Sequence, residues 1–190
     1  VELKKKTNFI IVLYHGGKEH YRYPSPYLKK ICNKFLDKGA DVVVCQHSHC
    51  IGAQEVINNK LIVYGQGNFI FDYSDNIFWQ TSLLIKLNFT LNNYTVEYIP
   101  IVKQKNKIRL ADSNTKNIIL SQFYERSEKI KNIENVYNYY DEFSFNNIFD
   151  YLRYFSGFGK WISRVDRKIF RNYLIRLFYR KSKRIVIQNF

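Results

Sequence analysis

Gly39-Ala40-Asp41-Val42-Val43-Val44-Cys45-Gln46-His47-Ser48-His49 places four consecutive apolar residues, three of them β-branched, directly before a polar loop with two histidines. A run this short and this apolar reads as a strand buried on both faces, ending where the histidines begin. Upstream, Ser25 followed by Pro26 supplies a helix N-cap with proline at the first helical position. Tyr27, Leu28, Ile31, Cys32, Phe35 and Leu36 then recur at helical spacing, and Gly39 suits the left-handed position that closes a helix. Before that helix, the run Asn8-Phe9-Ile10-Ile11-Val12-Leu13-Tyr14 reads as another buried strand, ending at His15-Gly16-Gly17. Residues 8–45 therefore form a strand, helix, strand unit, which favours parallel pairing and an α/β class. Both strands end in histidines. In open α/β sheets the loops after the strands' carboxyl ends line the ligand crevice, so His15, His47 and His49 are expected to face one site.

Downstream, Glu55-Val56-Ile57 and Lys60 to Tyr64 flank Asn58-Asn59, a pair that tolerates positive φ, and so predict a tight hairpin. Gly65-Gln66-Gly67-Asn68-Phe69 is the next turn. Thr81 to Phe89 and Tyr94 to Val102, separated by Asn92-Asn93, predict a second hairpin at a sheet edge, and the compact module is expected to end near residue 110. Residues 111–150 read as a polar, Asn-rich connecting segment with a helix over 120–135. Residues 151–190 read as a helical tail: Trp161, Ile162, Val165, Ile169, Phe170, Tyr173, Leu174, Leu177 and Phe178 repeat at helical period among arginines and lysines.

The formal charge of +14 is concentrated in that tail. Residues 1–150 hold 19 bases and 15 acids, whereas residues 151–190 hold 11 bases and one acid. A basic amphipathic tail predicts association with an anionic membrane surface, against packing over the domain with its arginines in solvent. Nucleic acid is the disfavoured partner, because no recognition module or stacking motif accompanies the charge. No apolar stretch approaches the ~20 residues that span a bilayer. The first residue is Val and methionine is absent, which suggests material upstream, where a signal or anchor could lie. Three cysteines, Cys32, Cys45 and Cys50, are too few for a disulfide scaffold and fit either redox compartment.

Imidazole nitrogens suit Mn, Fe and Zn, so three convergent histidines are the beginning of a metal site; the alternative is a set of loop histidines on the surface. Cys45 lies in register with His47 and His49 and invites a zinc reading with Cys50. Structural zinc knuckles usually space their ligands by two or more residues, however, and Cys45 is better read as strand packing. Glu19 could orient a ligating histidine or be a solvated loop acid. Glu55 could be simply a hairpin residue, Asn68 could cap its turn, and His20 is expected on an exposed rim.

Tyr14-His15-Gly16-Gly17-Lys18-Glu19, the stretch from Gly39 to His49, and Ile62-Val63-Tyr64-Gly65-Gln66-Gly67-Asn68-Phe69-Ile70-Phe71 resemble, in order and separation, the bacterial CapA family of capsule-synthesis and poly-gamma-glutamate-synthesis proteins. The resemblance covers residues 8 to about 102, the distal half of a family domain. It implies part of a calcineurin-like metallophosphatase fold, a mixed sheet with flanking helices, plus the basic helical extension. It also implies a divalent metal (Mn, Fe or Zn) held by His15, His47 and His49 as catalytic residues, with Glu19, Glu55 and Asn68 as further polar positions of the site. Gln46 departs from the pattern, which has glycine before the first histidine of the pair. The earlier half, which would bring the aspartates and an Asn-His element, is missing, so metal is expected only when that half is present. The expected function is that of a capsule or polyglutamate synthesis protein with a metal-dependent phosphoesterase-type site, at the bacterial membrane or cell surface if an anchor lies upstream and otherwise cytoplasmic, with other synthesis proteins as partners. The alternative is an inactive accessory protein at the membrane surface. This chain alone is expected to be catalytically inactive or feeble.

Overall fold

Ser25 and Pro26 start the first helix as the sequence predicts. In the computed structural model, which describes residues 2–70, 77–104 and 107–147, the Ser25 hydroxyl accepts from the Leu28 amide at 3.1 Å, and helix α1 runs over Pro26–Asp37. It closes in a Schellman turn: the Gly39 amide donates to the Leu36 carbonyl and the Ala40 amide to that of Phe35, both at 3.0 Å, with Gly39 at φ +105°. That φ suits a residue without a Cβ.

The helix joins β1 (Ile11–His15) to β2 (Val42–Gln46), which pair in parallel with Ile11 opposite Val42 and His15 opposite Gln46. β3 (Gln54–Ile57) and β4 (Lys60–Val63) form the expected hairpin, with Asn58 and Asn59 at φ +51° and +61°. Two successive left-handed residues make the turn whose twist matches that of the strands it joins. β4 also pairs in parallel with β2, giving the sheet order β1-β2-β4-β3.

The side-chain period of two divides the core into two layers. Val43 and Cys45 of β2, with Ile62 of β4, face α1 and pack with Leu28, Cys32 and Leu36. Val42 and Val44, with Leu61 and Val63, face the opposite way, towards Leu83, Tyr98, Ile119 and Phe123. The apolar run of β2 is thus buried on both sides, as its sequence requires.

The second hairpin differs from the expectation of a sheet edge. β5 (Thr81–Phe89) and β6 (Tyr94–Gln104) form their own antiparallel sheet with a third strand, β7 (Lys107–Leu110), and β6 is central. This sheet stacks on the first, so Leu83 and Tyr98 fill space that a coplanar hairpin would leave open. The two sheets are stitched near the end of β4, where the Leu83 amide donates to the Gln66 carbonyl at 2.8 Å.

Residues 111–147 carry two helices where one was expected over 120–135. Asp112 caps α2 (Ser113–Lys129) by accepting from the Thr115 amide at 3.0 Å, and α3 spans Ile133–Asn146. Phe123, Ile130 and Val136 are fully buried, so a narrow apolar stripe holds an otherwise polar segment on the core. No helix among the described residues is long and apolar enough to cross a membrane. The basic tail and its amphipathic pattern lie outside the described residues.

Candidate metal centre

Three chain segments converge beyond the carboxyl ends of the parallel strands. His15 ends β1 and leads into Gly16 to His20. Gln46 ends β2 and leads into His47-Ser48-His49, and Gly65 to Asn68 follow β4. Backbone bonds tie the first two loops together: the Gly16 amide donates to the Gln46 carbonyl at 3.2 Å, and the His20 amide to that of Ser48 at 2.9 Å. The third loop comes in closely because Gly65 has no side chain. A Cβ there would lie 2.7 Å from the Ser48 hydroxyl and 2.9 Å from the Cys50 carbonyl oxygen.

The backbone of the histidine loops is unusual. His20, His47 and His49 all have positive φ, at +58°, +96° and +58°. Each such residue costs about 1–3 kcal/mol and persists only where the surrounding contacts hold it. Gln46 does not share this conformation. Its carbonyl is used by Gly16 and its backbone is ordinary strand, so a side chain is accommodated at this position.

All four histidines gather here. The rings of His15 and His47 have centroids 5.0 Å apart, His47 and His49 6.1 Å, and His49 and His20 6.1 Å. Within this group the ligand atoms of Glu19, His47 and His49 lie within 4.8 Å of one another, and the Glu19 carboxylate is 3.9 Å from His47 Nε2. Ligands about 2.0–2.2 Å from one tetrahedral ion are separated by roughly 3.3–3.6 Å, so a closure of about 1 Å would let these three share an ion. Two imidazoles and one carboxylate form a donor set that catalytic zinc sites use, and it suits Mn and Fe as well. His15 stands beside His47 without joining that set.

Asn68 fixes the orientation of His49. Its amide nitrogen donates to the His49 carbonyl at 3.4 Å, which leaves Oδ1 to accept from His49 Nδ1 at 2.8 Å. This arrangement protonates Nδ1 and assigns the ligating role to Nε2, as polar partners of metal-bound histidines commonly do.

Glu55 is engaged elsewhere. Its carboxylate accepts from the Tyr64 hydroxyl at 2.8 Å and pairs with Lys29 at 2.9 Å, so it ties α1 to the β3–β4 hairpin within the α1-side core. Cys45 faces that same core and packs against Cys32, which removes it from any zinc set with the histidines.

Two features of the site were not apparent in the sequence. Trp79 is buried and stacks on both His49 and His20, with ring centroids at 4.8 and 5.5 Å, and its indole nitrogen donates to His20 Nδ1 at 3.3 Å. It reaches the site from the short helical turn Ile77–Gln80, which carries no periodic signal. Arg126 on α2 donates to the carbonyls of Gly52 and Ile51 at 2.8 and 3.2 Å, and Arg22 also reaches Ile51. Burial, and then the neighbouring Arg22 charge, push the Arg126 guanidinium down to about 10. These two side chains brace the segment that follows the histidine loop.

A mixed α/β fold with two sheets and helices, bearing a histidine and glutamate cluster at its parallel-strand ends, is the class of protein described so far. Comparison with known proteins narrows it. Residues 1–73 match the family described as bacterial capsule synthesis protein PGA_cap. The chain is 35% identical over 71 residues to the PGA biosynthesis protein CapA of Bacillus subtilis (strain 168), a match covering 37% of this chain and 19% of that relative. It is 33% identical over 69 residues to the capsule biosynthesis protein CapA of Bacillus anthracis, covering 36% of this chain and 17% of that relative. These likenesses establish homology to that general family over the amino-terminal segment, which corresponds to under a fifth of the length of these relatives.

Proposed function

We propose that this chain is a metal-binding portion of a capsule or poly-gamma-glutamate synthesis protein, with a phosphoesterase-type site of the calcineurin-like kind. The approach of Glu19, His47 and His49 to within 4.8 Å of one another carries this reading. When bound, a divalent ion would supply Lewis acidity towards a phosphoryl or carbonyl oxygen and a water more easily deprotonated than bulk water. The chain's own contribution is positional. Asn68 presents His49 through Nε2, Glu19 and His47 face the same point, and Trp79 closes one side of the cluster with an apolar ring. His15, whose ring lies 5.0 Å from that of His47, would contact either a second ion or the substrate. A close pair of divalent ions needs carboxylates between them to offset their repulsion. Among the described residues the cluster offers Glu19 alone, so full activity is assigned to the site as completed by a further segment.

The test is equilibrium dialysis, against Mn or Zn, of the chain joined to the upstream half of a homologue, with bound metal measured by elemental analysis. Stoichiometric metal is expected, reduced at least tenfold by His47→Ala or His49→Ala, and the same substitutions should also remove activity. Undiminished metal in both variants would refute the assignment.

The charge of residues 151–190 supports a second reading, in which the chain is an inactive accessory protein at an anionic membrane surface. Deleting residues 151–190 should then abolish cosedimentation with anionic liposomes at physiological salt. Undiminished cosedimentation would remove this reading while leaving the metal reading intact.

A further inference from the structure

Cys32 on α1 and Cys45 on β2 bring their sulfurs to 3.4 Å from each other inside the α1-side core, at 0% and 1% exposure. They are surrounded by Leu28, Leu36, Val43, Ile62 and Tyr64 and have no part in the histidine cluster. Cys50 is also buried but lies in the separate setting of Ser48 and the two arginines, so the three thiols are not equivalent. A disulfide needs its sulfurs at about 2.05 Å, a closure of roughly 1.4 Å from the present separation. Small rotations of two side chains on adjoining elements supply movements of that size.

We propose that Cys32 and Cys45 are a disulfide-forming pair that locks α1 onto β2 when the chain folds in an oxidising environment. In the first step the thiolate of either cysteine attacks a small-molecule disulfide, forming a mixed disulfide and expelling one thiolate. The thiolate of the other cysteine then attacks the protein sulfur of that mixed disulfide and expels the second. Two protein thiols lose two protons and two electrons, and one small-molecule disulfide becomes two thiols.

Burial sets when this happens. Contact with the Cys32 sulfur and removal from water hold the Cys45 thiol well above the usual range, and the burial of both side chains keeps an oxidant from reaching them in the folded chain. The bond is therefore made while the α1–β2 unit assembles. Once folding is complete, the same burial protects whichever redox state was trapped.

The experiment refolds the full chain from denaturant with oxidised and reduced glutathione, and separately with a strong reductant. Each product is then denatured in an alkylating agent and its peptides are mapped by mass spectrometry. Oxidative refolding is expected to leave Cys50 as the one alkylated cysteine and to yield a peptide linking Cys32 to Cys45, two hydrogens lighter than the reduced form. Oxidised glutathione added to protein already folded in reductant should form that link at least about tenfold more slowly. Export of the chain to a bacterial periplasm gives the same map without refolding. Three alkylated cysteines under both oxidising conditions, or a link through Cys50, would overturn the proposal; neither result bears on metal binding by the histidines.

Discussion

His49 shows how much a single residue must satisfy at this site. It adopts a left-handed backbone, stacks on Trp79 with ring planes 15° apart, and donates from Nδ1 to Asn68 Oδ1. Together these contacts fix the orientation of the ring. Asn68 is then a positioning residue whose effect is felt through His49. Asn68→Ala is expected to lower metal affinity about 10–100-fold while leaving the unfolding midpoint nearly unchanged. Asn68→Asp, which keeps an acceptor opposite Nδ1, should retain most of the affinity; calorimetric titration of both variants with Zn distinguishes these outcomes. The histidines were legible in the sequence as strand-end residues, because an apolar run followed by a polar loop fixes where a strand stops. The role of Asn68 was open, since a turn cap and a histidine partner look alike until the side-chain direction is known. Glu55 was grouped with the site, but the opposing demands of Lys29 and Tyr64 draw its carboxylate into the core.

Among the elements, β2 was the most legible and α2 the least. Val42 to Cys45 are apolar without interruption, and only a strand covered on both faces accounts for that. α2 hides its purpose behind a polar surface, burying Ile119 and Phe123 together with Arg126 and Ser127, whose polar groups find partners in the protein. Phe123 is fully buried and meets Tyr98 at a centroid distance of 4.8 Å. Phe123→Ala is expected to destabilise the protein by about 3–5 kcal/mol in denaturant unfolding. A cost below ~1 kcal/mol would mean that α2 is a peripheral connection. The β5–β6 hairpin was legible as a hairpin, because alternation and the Asn92-Asn93 turn are local signals. Its membership of a second sheet was not, since stacking is a property of two surfaces meeting.

At the scale of the molecule, the outer strand beside the histidine cluster carries an exposed apolar side chain. β1 is the outer strand of the first sheet, and Leu13 on it is 76% exposed, on the face opposite the one where Val12 and Tyr14 pack. Among the described residues no strand pairs with the outer side of β1, and an apolar edge strand of this kind is a template for pairing with another chain. The purified chain is therefore expected to self-associate with rising concentration, and Leu13→Lys should reduce this in sedimentation velocity while changing stability by no more than about 0.5 kcal/mol. The same edge lies next to His15, so a segment that covered β1 would also approach the histidine cluster.

Sequence by itself determined the strand, helix, strand unit, both hairpins and the arrival of three histidines at strand ends. Those features follow from local periodicity, helix caps and turn residues, which act over a few neighbouring positions. Only the tertiary structure decided that the hairpins belong to different sheets, that α2 is part of the core, that Trp79 and Asn68 fix His49, and that Cys32 meets Cys45. These depend on which surfaces pack together, and packing is settled by the shape and burial of residues far apart in the chain.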